Sequence, residues 1–224
     1  MAGKFHHEQL YRGAGAIEKL AALRVVMCGA GAVGSNLADN LARQGLAHLR
    51  VIDHDRIEEH NVSTQLYGEN EVGTFKVEAL RNRIFRATGV EIDAARKELT
   101  DQTGRQLLKD ADLLIDAFDN TRSRQLVQDH ARQSGVPCLH VGLAADYCEV
   151  LWDEGYRVPR DAGPDMCDYP LARNLVLLAV AAASEAVVRF AVVGERAGWT
   201  ATLGDLAIQP AHVAQITPGG DAGK

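Results

Sequence analysis

The chain has 224 residues, 46% of them hydrophobic, which suits one compact α/β domain with a full core. A net charge of −6 argues against a nucleic-acid groove or an anionic membrane surface as the main partner. No run reaches the roughly 18 apolar residues that span a bilayer. The richest stretch, 171–193, is interrupted by Arg173, Glu185 and Arg189 and reads as a buried helix, and MAGKFHHEQL lacks the apolar core of a signal peptide. A cytoplasmic location is expected.

In chain order, Leu10, Ile17, Leu20 and Leu23 predict a helical lead-in over 8–23, imperfect at Gly13 and Gly15. An apolar strand from Arg24 ends in a glycine turn, and Val33, Leu37 and Leu41 form the stripe of a helix that stops at Gly45. A second strand covers 49–53, followed by a polar loop to Gln65 with too little periodicity for a regular element. Val72, Phe75, Leu80 and Ile84 predict a helix over 71–87 with Lys76 early in it. A short strand at 90–94 and a short helix at 101–109, capped at Thr100 or Asp101, come next. Strands at 113–117, 136–141 and 147–152 follow, the first two separated by a helix over 121–134. An irregular stretch over 155–169, the long helix at 171–193, an edge strand within 199–208 and a disordered tail from about 211 to 224 complete the chain. Without repeat or linker this is a single domain, with its core over about 8–208. Its fold class is α/β: a Rossmann-like, doubly wound, mostly parallel sheet with helices on both faces.

Gly29, Gly31 and Gly34 form G-x-G-x-x-G between the first strand and its helix, and Asp53 ends the second strand. In a nucleotide-binding unit the three glycines allow a tight turn, an approach of backbone to phosphate, and close packing of helix on strand. The helix N-terminus offers free amides to an anion, and the acid can accept from ribose hydroxyls. Three further groups fall on the same sheet edge: Asp53-x-Asp55 with the loop carrying Asn61 and Gln65, then Lys76, then Asp116-x-x-Asp119-Asn120 with Arg124 beyond. Hydride transfer to NAD has little need for this set. Cleavage of ATP between its α- and β-phosphates does, because a lysine and a magnesium ion held by a carboxylate stabilise the charge that develops. Asp119 is the natural metal ligand.

The four cysteines form no C-x-x-C pair. Cys28 and Cys138, inside apolar runs, read as small buried hydrophobes; Cys148 is ambiguous. His54, His60 and His140 lie near the presumed edge of the site, and Trp152 and Trp199 read as core or interface anchors.

GAGAVGS at 29–35, DHDRIEEHNVSTQ at 53–65, VGTFKVEAL at 72–80 and DAFDNTRSR at 116–124 resemble, in that order, the motifs of the ThiF/MoeB/HesA family, whose adenylation domain is shared with ubiquitin-activating enzymes. The resemblance spans about 8–208. It implies a homodimeric adenylyltransferase that uses ATP and magnesium to activate the C-terminal glycine of a ubiquitin-like or sulfur-carrier protein ending in Gly-Gly, releasing pyrophosphate. By that resemblance Gly29, Gly31 and Gly34 carry phosphate and Asp53 holds ribose, with Asp55 and Asn120 beside it. Asn61, Gln65 and Lys76 face the phosphates, Asp119 holds magnesium, and Arg12 reaches across the dimer to the γ-phosphate. Only Arg124 of the two arginines in DNTRSR matches the motif.

Three departures stand out. NVSTQ places Thr64 where the family has arginine, a loss worth roughly 1.5–3 kcal/mol if nothing compensates; Arg56 and Arg124 are the candidates to do so. The zinc-binding cysteine pairs are absent. Cys167 falls about where members carry a covalent cysteine, but Asp165 and Asp168 flank it and would raise its thiol pKa. A catalytically degenerate, nucleotide-binding family member, motivated by Thr64, is the main alternative, and an NAD-dependent oxidoreductase the lesser one.

Overall fold

Strand β1 (Arg24–Cys28) is buried from its second residue onward and lies between β2 (His48–Ile52) and β4 (Leu113–Asp116), parallel to both. The computed structural model that shows this describes residues 3–159 and 170–211. β3 (Asp93–Ala95) extends the parallel sheet outside β2, and β5 (Cys138–Ala144) extends it outside β4. Beyond β5 the pairing turns antiparallel through β6 (Tyr147–Trp152), β7 (Trp199–Thr202) and β8 (Ile208–Pro210). The order is β3-β2-β1-β4-β5-β6-β7-β8. The chain winds outward from β1 to β3 and then returns to the other side of β1. This leaves a crevice at the C-terminal ends of β1 and β4, where open α/β sheets bind ligands.

Both faces of the parallel strands are covered, so their residues alternate between two cores instead of between core and water. Val25 and Met27 point into one core, with Leu37 and Leu41 of α3 (Ala32–Gln44), Leu80 and Ile84 of α4 (Lys76–Thr88), and Val176 and Val187 of α7 (Arg173–Val193). Val26 and Cys28 point into the other, with Leu107 of α5 (Asp101–Leu107) and Val127 and Ala131 of α6 (Thr121–Ser134). Helix α7 is long and apolar enough to cross a membrane by composition alone, yet its buried side chains line the first core. Its reading as a buried helix holds. Cys28 and Cys138 are buried as expected, burial raising both thiols, and Cys148 proves buried too.

Several expected boundaries move. The lead-in is two helices, α1 (His6–Arg12) and α2 (Ala14–Ala22), separated at Gly13 with φ of 86°. The loop after β2 contains a 3-10 turn, Glu59–Ser63. Residues 71–75 are not part of the α-helix α4. A separate 3-10 turn, Glu69–Glu71, precedes Gly73 (φ 88°), and α4 begins only at Lys76. Phe75 leaves the core pattern because the guanidinium carbons of Arg56 and Arg96 stand 3.7 and 3.6 Å from its ring centroid. The single edge strand expected over 199–208 is instead two, β7 and β8, around a turn where Leu206 takes φ of 53°. The expected disordered tail lies almost wholly outside the described residues.

Candidate functional site

The glycine turn is built as its sequence demands. Gly29 takes φ of 103°, and a Cβ there would stand 2.8 Å from the Ala117 carbonyl oxygen. A Cβ on Gly34 would come within 2.0 Å of the Gly29 carbonyl oxygen, so the first turn of α3 rests directly on the end of β1. Gly31 differs from both. A Cβ there would meet nothing within 4 Å, and no side chain caps α3 behind it. The free amides of that helix end therefore face open space. The turn is pinned through both backbone groups of one residue: the Ala30 N–H donates to Asp53 Oδ2 at 2.8 Å, and Tyr67 Oη donates to the Ala30 carbonyl at 2.8 Å.

Around this turn lies a cleft of about 250 Å³ lined by Gly29, Gly31, Asp53, Asp55, Lys76, Asp119 and Asn120, among others. Seven of the expected site residues thus meet in one place. Asp53 is buried, with Oδ1 accepting the Asp55 N–H at 2.8 Å. Burial raises its pKa, and the Lys76 charge and the two amides only partly offset that. Each of its oxygens keeps a second lone pair for a ligand hydroxyl. Lys76, the first residue of α4, is also buried; its Nζ lies 3.0 Å from Asp55 Oδ2 and its amide donates to the Asp55 carbonyl. Asn120 caps α6 by accepting the Ser123 N–H at 2.9 Å. Asp119 beside it is exposed and makes no hydrogen bond or ion pair among the described residues, so its carboxylate is open to a cation. Asp53, His54 and Asp55 also bring ligand atoms within 4.8 Å of one another. The first and last of them are already engaged, with backbone amides and with Lys76.

Other expected residues are elsewhere. Gly34 lies beneath the turn and not on the cleft wall. Asn61 is buried, and its Oδ1 accepts the Glu58 N–H at 2.9 Å, closing its own 3-10 turn instead of facing the cleft. The Gln65 carbonyl accepts from Arg173 at 3.3 Å, while its side-chain Oε1 is buried without a partner among the described residues. The loop holding both is stitched to the first turn of α3. Asn36 Nδ2 donates to the Thr64 carbonyl, and the Leu66 N–H donates to Ser35 Oγ. Arg12 pairs within its own chain, 2.7 Å from Glu8 and 2.9 Å from Glu185. Cys167 lies outside the described residues.

Neither candidate replacement for an arginine at position 64 serves. Arg56 donates to the Gly73 carbonyl at 2.6 Å and lies over Phe75. Arg124 is drawn into a network behind the cleft. Its Nη1 donates to Tyr156 Oη at 3.0 Å and lies 3.4 Å from Asp116 Oδ2, and its Nη2 donates to the Val141 carbonyl at 3.0 Å. Asp116 and His140 are fully buried, with His140 Nδ1 2.9 Å from Asp116 Oδ2 and its Nε2 3.3 Å from Asp153. Tyr156 stacks on His140 at 3.8 Å, and burial pushes its phenol up to about 12, with Arg124 opposing. Asp116 Oδ1 accepts the Phe118 N–H at 3.1 Å, so the network braces the loop that displays Asp119.

The cleft also takes in Lys97, Glu98, Leu99 and Arg122, which the sequence did not single out for the site, and His54, expected near its edge. The available signal was position: Lys97 follows the C-terminal end of β3, at the same sheet edge as the glycine turn.

The ThiF family pattern matches residues 7–155. The chain is 30% identical over 153 residues to the sulfur carrier protein ThiS adenylyltransferase of Bacillus subtilis, covering 66% of this chain and 46% of that protein. It is 37% identical over 126 residues to the adenylyltransferase and sulfurtransferase uba4 of Aspergillus fumigatus, covering 54% of this chain and 25% of that one. A crystal structure of E. coli MccB with MccA-N7isoAsn superposes with a TM-score of 0.79 at 17% identity, over 94% of this chain and 72% of that one, and so shares the fold. The chain spans less than half the length of these curated relatives. With the glycine turn, Lys76 and Asp119 gathered at one switch-point cleft, the sequence match has its structural counterpart: the chain belongs to the ThiF family.

Proposed function

We propose that this chain is an adenylyltransferase that uses ATP to activate the C-terminal glycine of a ubiquitin-like or sulfur-carrier protein. The observation that carries the reading is the convergence of Lys76 and Asp119 on the cleft where Gly31 leaves the α3 amides open. The names of the relatives agree with it. In this reading the ribose lies against Asp53, and the triphosphate takes the α3 N-terminus and Lys76. The carrier carboxylate forms a new oxygen–phosphorus bond at the α-phosphate as the bond to the β-phosphate oxygen breaks, and pyrophosphate leaves with that electron pair. Lys76 offsets the charge that builds on the phosphates, in a setting where Asp55 already holds its ammonium group in place. The open carboxylate of Asp119 fits magnesium, which prefers one or two carboxylates plus phosphate oxygens and would neutralise phosphate charge.

Self-association as a homodimer accompanies this reading. Helix α1 buries none of its residues, Leu10 and Tyr11 on it are 71% and 83% exposed, and Arg12 ties it to Glu185 of α7. Sedimentation of the full chain is expected to give twice the monomer mass. The place of α7 side chains in the core supports reading it as a core helix and not as a membrane span.

The test is exchange of labelled pyrophosphate into ATP in the presence of a ThiS-type carrier ending in Gly-Gly. Carrier-dependent exchange is expected. ATP binding without exchange for any such carrier favours the degenerate reading that Thr64 suggests.

A further inference from the structure

A triphosphate needs cations, and most of those near the cleft are committed. Lys76 faces Asp55, Arg56 holds the Gly73 carbonyl, and Arg124 belongs to the network around Asp116. Lys97 and Arg122 are different. Both line the cleft, both are exposed, and neither side chain has a hydrogen-bond or ion-pair partner among the described residues.

Their placement is not that of scattered surface charge. Lys97 follows β3 and Arg122 is the second residue of α6, just after β4. In the sheet order, β3 and β4 enclose β2 and β1. The two cations thus stand on either flank of the glycine turn. Arg122 sits in the first turn of a helix, where the helix dipole disfavours a cation unless an anion lies beside it. Lys76, at the start of α4, is in the same position and has Asp55 as that anion. Arg122 has none.

We propose that Lys97 and Arg122 clamp the polyphosphate of a nucleoside triphosphate from the two flanks of the cleft, within one chain, supplying the positive charge that Thr64 does not. This rests on the reading of the cleft as an ATP site and adds which residues take the charge beyond the α-phosphate. A guanidinium can hold two phosphate oxygens at once, and an ammonium acts as a point charge, so Arg122 is the more specific of the pair.

Calorimetry of the full chain with ATP and with AMP, both without divalent metal, tests the clamp. The variants are Lys97→Gln, Arg122→Gln, the double variant and Arg122→Lys. Each single glutamine variant is expected to weaken ATP binding by about five- to tenfold, typical of one charge-assisted contact at a partly open site, and the double variant by about fiftyfold. AMP binding should change by less than about twofold, since AMP lacks the phosphates in question. Arg122→Lys should restore only part of the affinity that Arg122→Gln loses, because an ammonium replaces the charge and not the two-point contact, and raised salt should narrow the gap between parent and double variant. Equal losses for ATP and AMP, or no loss for either, overturn the clamp while leaving the ATP site intact. Failure of the unaltered chain to bind ATP overturns both. Because both side chains are exposed, thermal melts of the variants should match the parent.

Discussion

The loop from Ala117 to Asn120 has charge on both sides, treated in opposite ways. Behind it, Asp116, Arg124, His140, Asp153 and Tyr156 turn their polar groups on one another, with Asp116 and His140 wholly out of water. In front of it, Asp119, Arg122 and Lys97 line a cleft with no partner among the described residues, and Lys76 waits with a single one. Buried charge persists only when it is paired. Charge left open at the edge of a sheet costs little in water, and it is what a charged ligand can use. The back of the loop is therefore a brace and the front a binding surface, although both draw on the same short stretch, DAFDNTRSR.

Four substitutions or conditions should separate the two sides. The largest stability effect belongs behind the loop. Asp116→Ala strands Arg124 and His140 in the interior, and a loss of about 3–5 kcal/mol in urea unfolding is expected; a loss below about 1 kcal/mol would mean the network is not a brace. In front, Lys76→Ala should lower pyrophosphate exchange by about a hundredfold or more, from lost stabilisation of developing charge. Its melting temperature should move little, because the abandoned Asp55 side chain is 51% exposed. A large drop in stability with unchanged exchange would reverse the roles given to the two regions.

Thr64→Arg should raise exchange by less than about threefold if Lys97 and Arg122 already hold the phosphates, since one more cation near a satisfied anion adds little. A gain near a hundredfold would show that the cleft lacks an essential cation. The smallest effect lies far from the cleft, at the start of the central strands. Arg24 hydrogen-bonds Asp112 there at 2.6 and 3.0 Å, which holds that carboxyl below its ordinary 3.8. A depressed carboxyl contributes stability that is present above the unfolded value and lost as pH falls through the folded one. Asp112→Asn should therefore cost up to about 1 kcal/mol at pH 7, as exposed ion pairs do, and progressively less as pH falls below the ordinary carboxylate range. A cost that does not shrink as pH falls would contradict that origin.

The sheet was legible because its signals are local and strong. Helix α6 runs over Thr121–Ser134 as expected, bounded by Asn120 as cap and by Gly135 at φ of 71°. The start of α4 was not. Val72 and Phe75 mimic helical spacing, and only the three-dimensional position of Arg56 and Arg96 shows Phe75 turned to them. Within the site, glycine spacing is a backbone property and can be read from sequence, as can an acid at a strand end. The direction of a side chain is not. Asn61 turns its Oδ1 to the Glu58 N–H and does not line the cleft. Arg124 matches the family motif, yet Arg122 faces the cleft. Residues two apart on a helix point to different sides, and the sequence does not say which side carries the ligand.

The claim most open to direct attack is that the turn at Gly29–Gly34 holds ATP, with Asp119 as the metal ligand. Calorimetry of the unaltered chain and of Asp119→Asn, titrated with ATP in magnesium, ATP in EDTA, and NAD, addresses it in one experiment. The expected result is ATP binding at least about tenfold tighter than NAD, one contact's worth of discrimination or more. Magnesium should strengthen ATP binding to the unaltered chain and make little difference to Asp119→Asn. A preference for NAD, or a magnesium effect that survives the substitution, would contradict it.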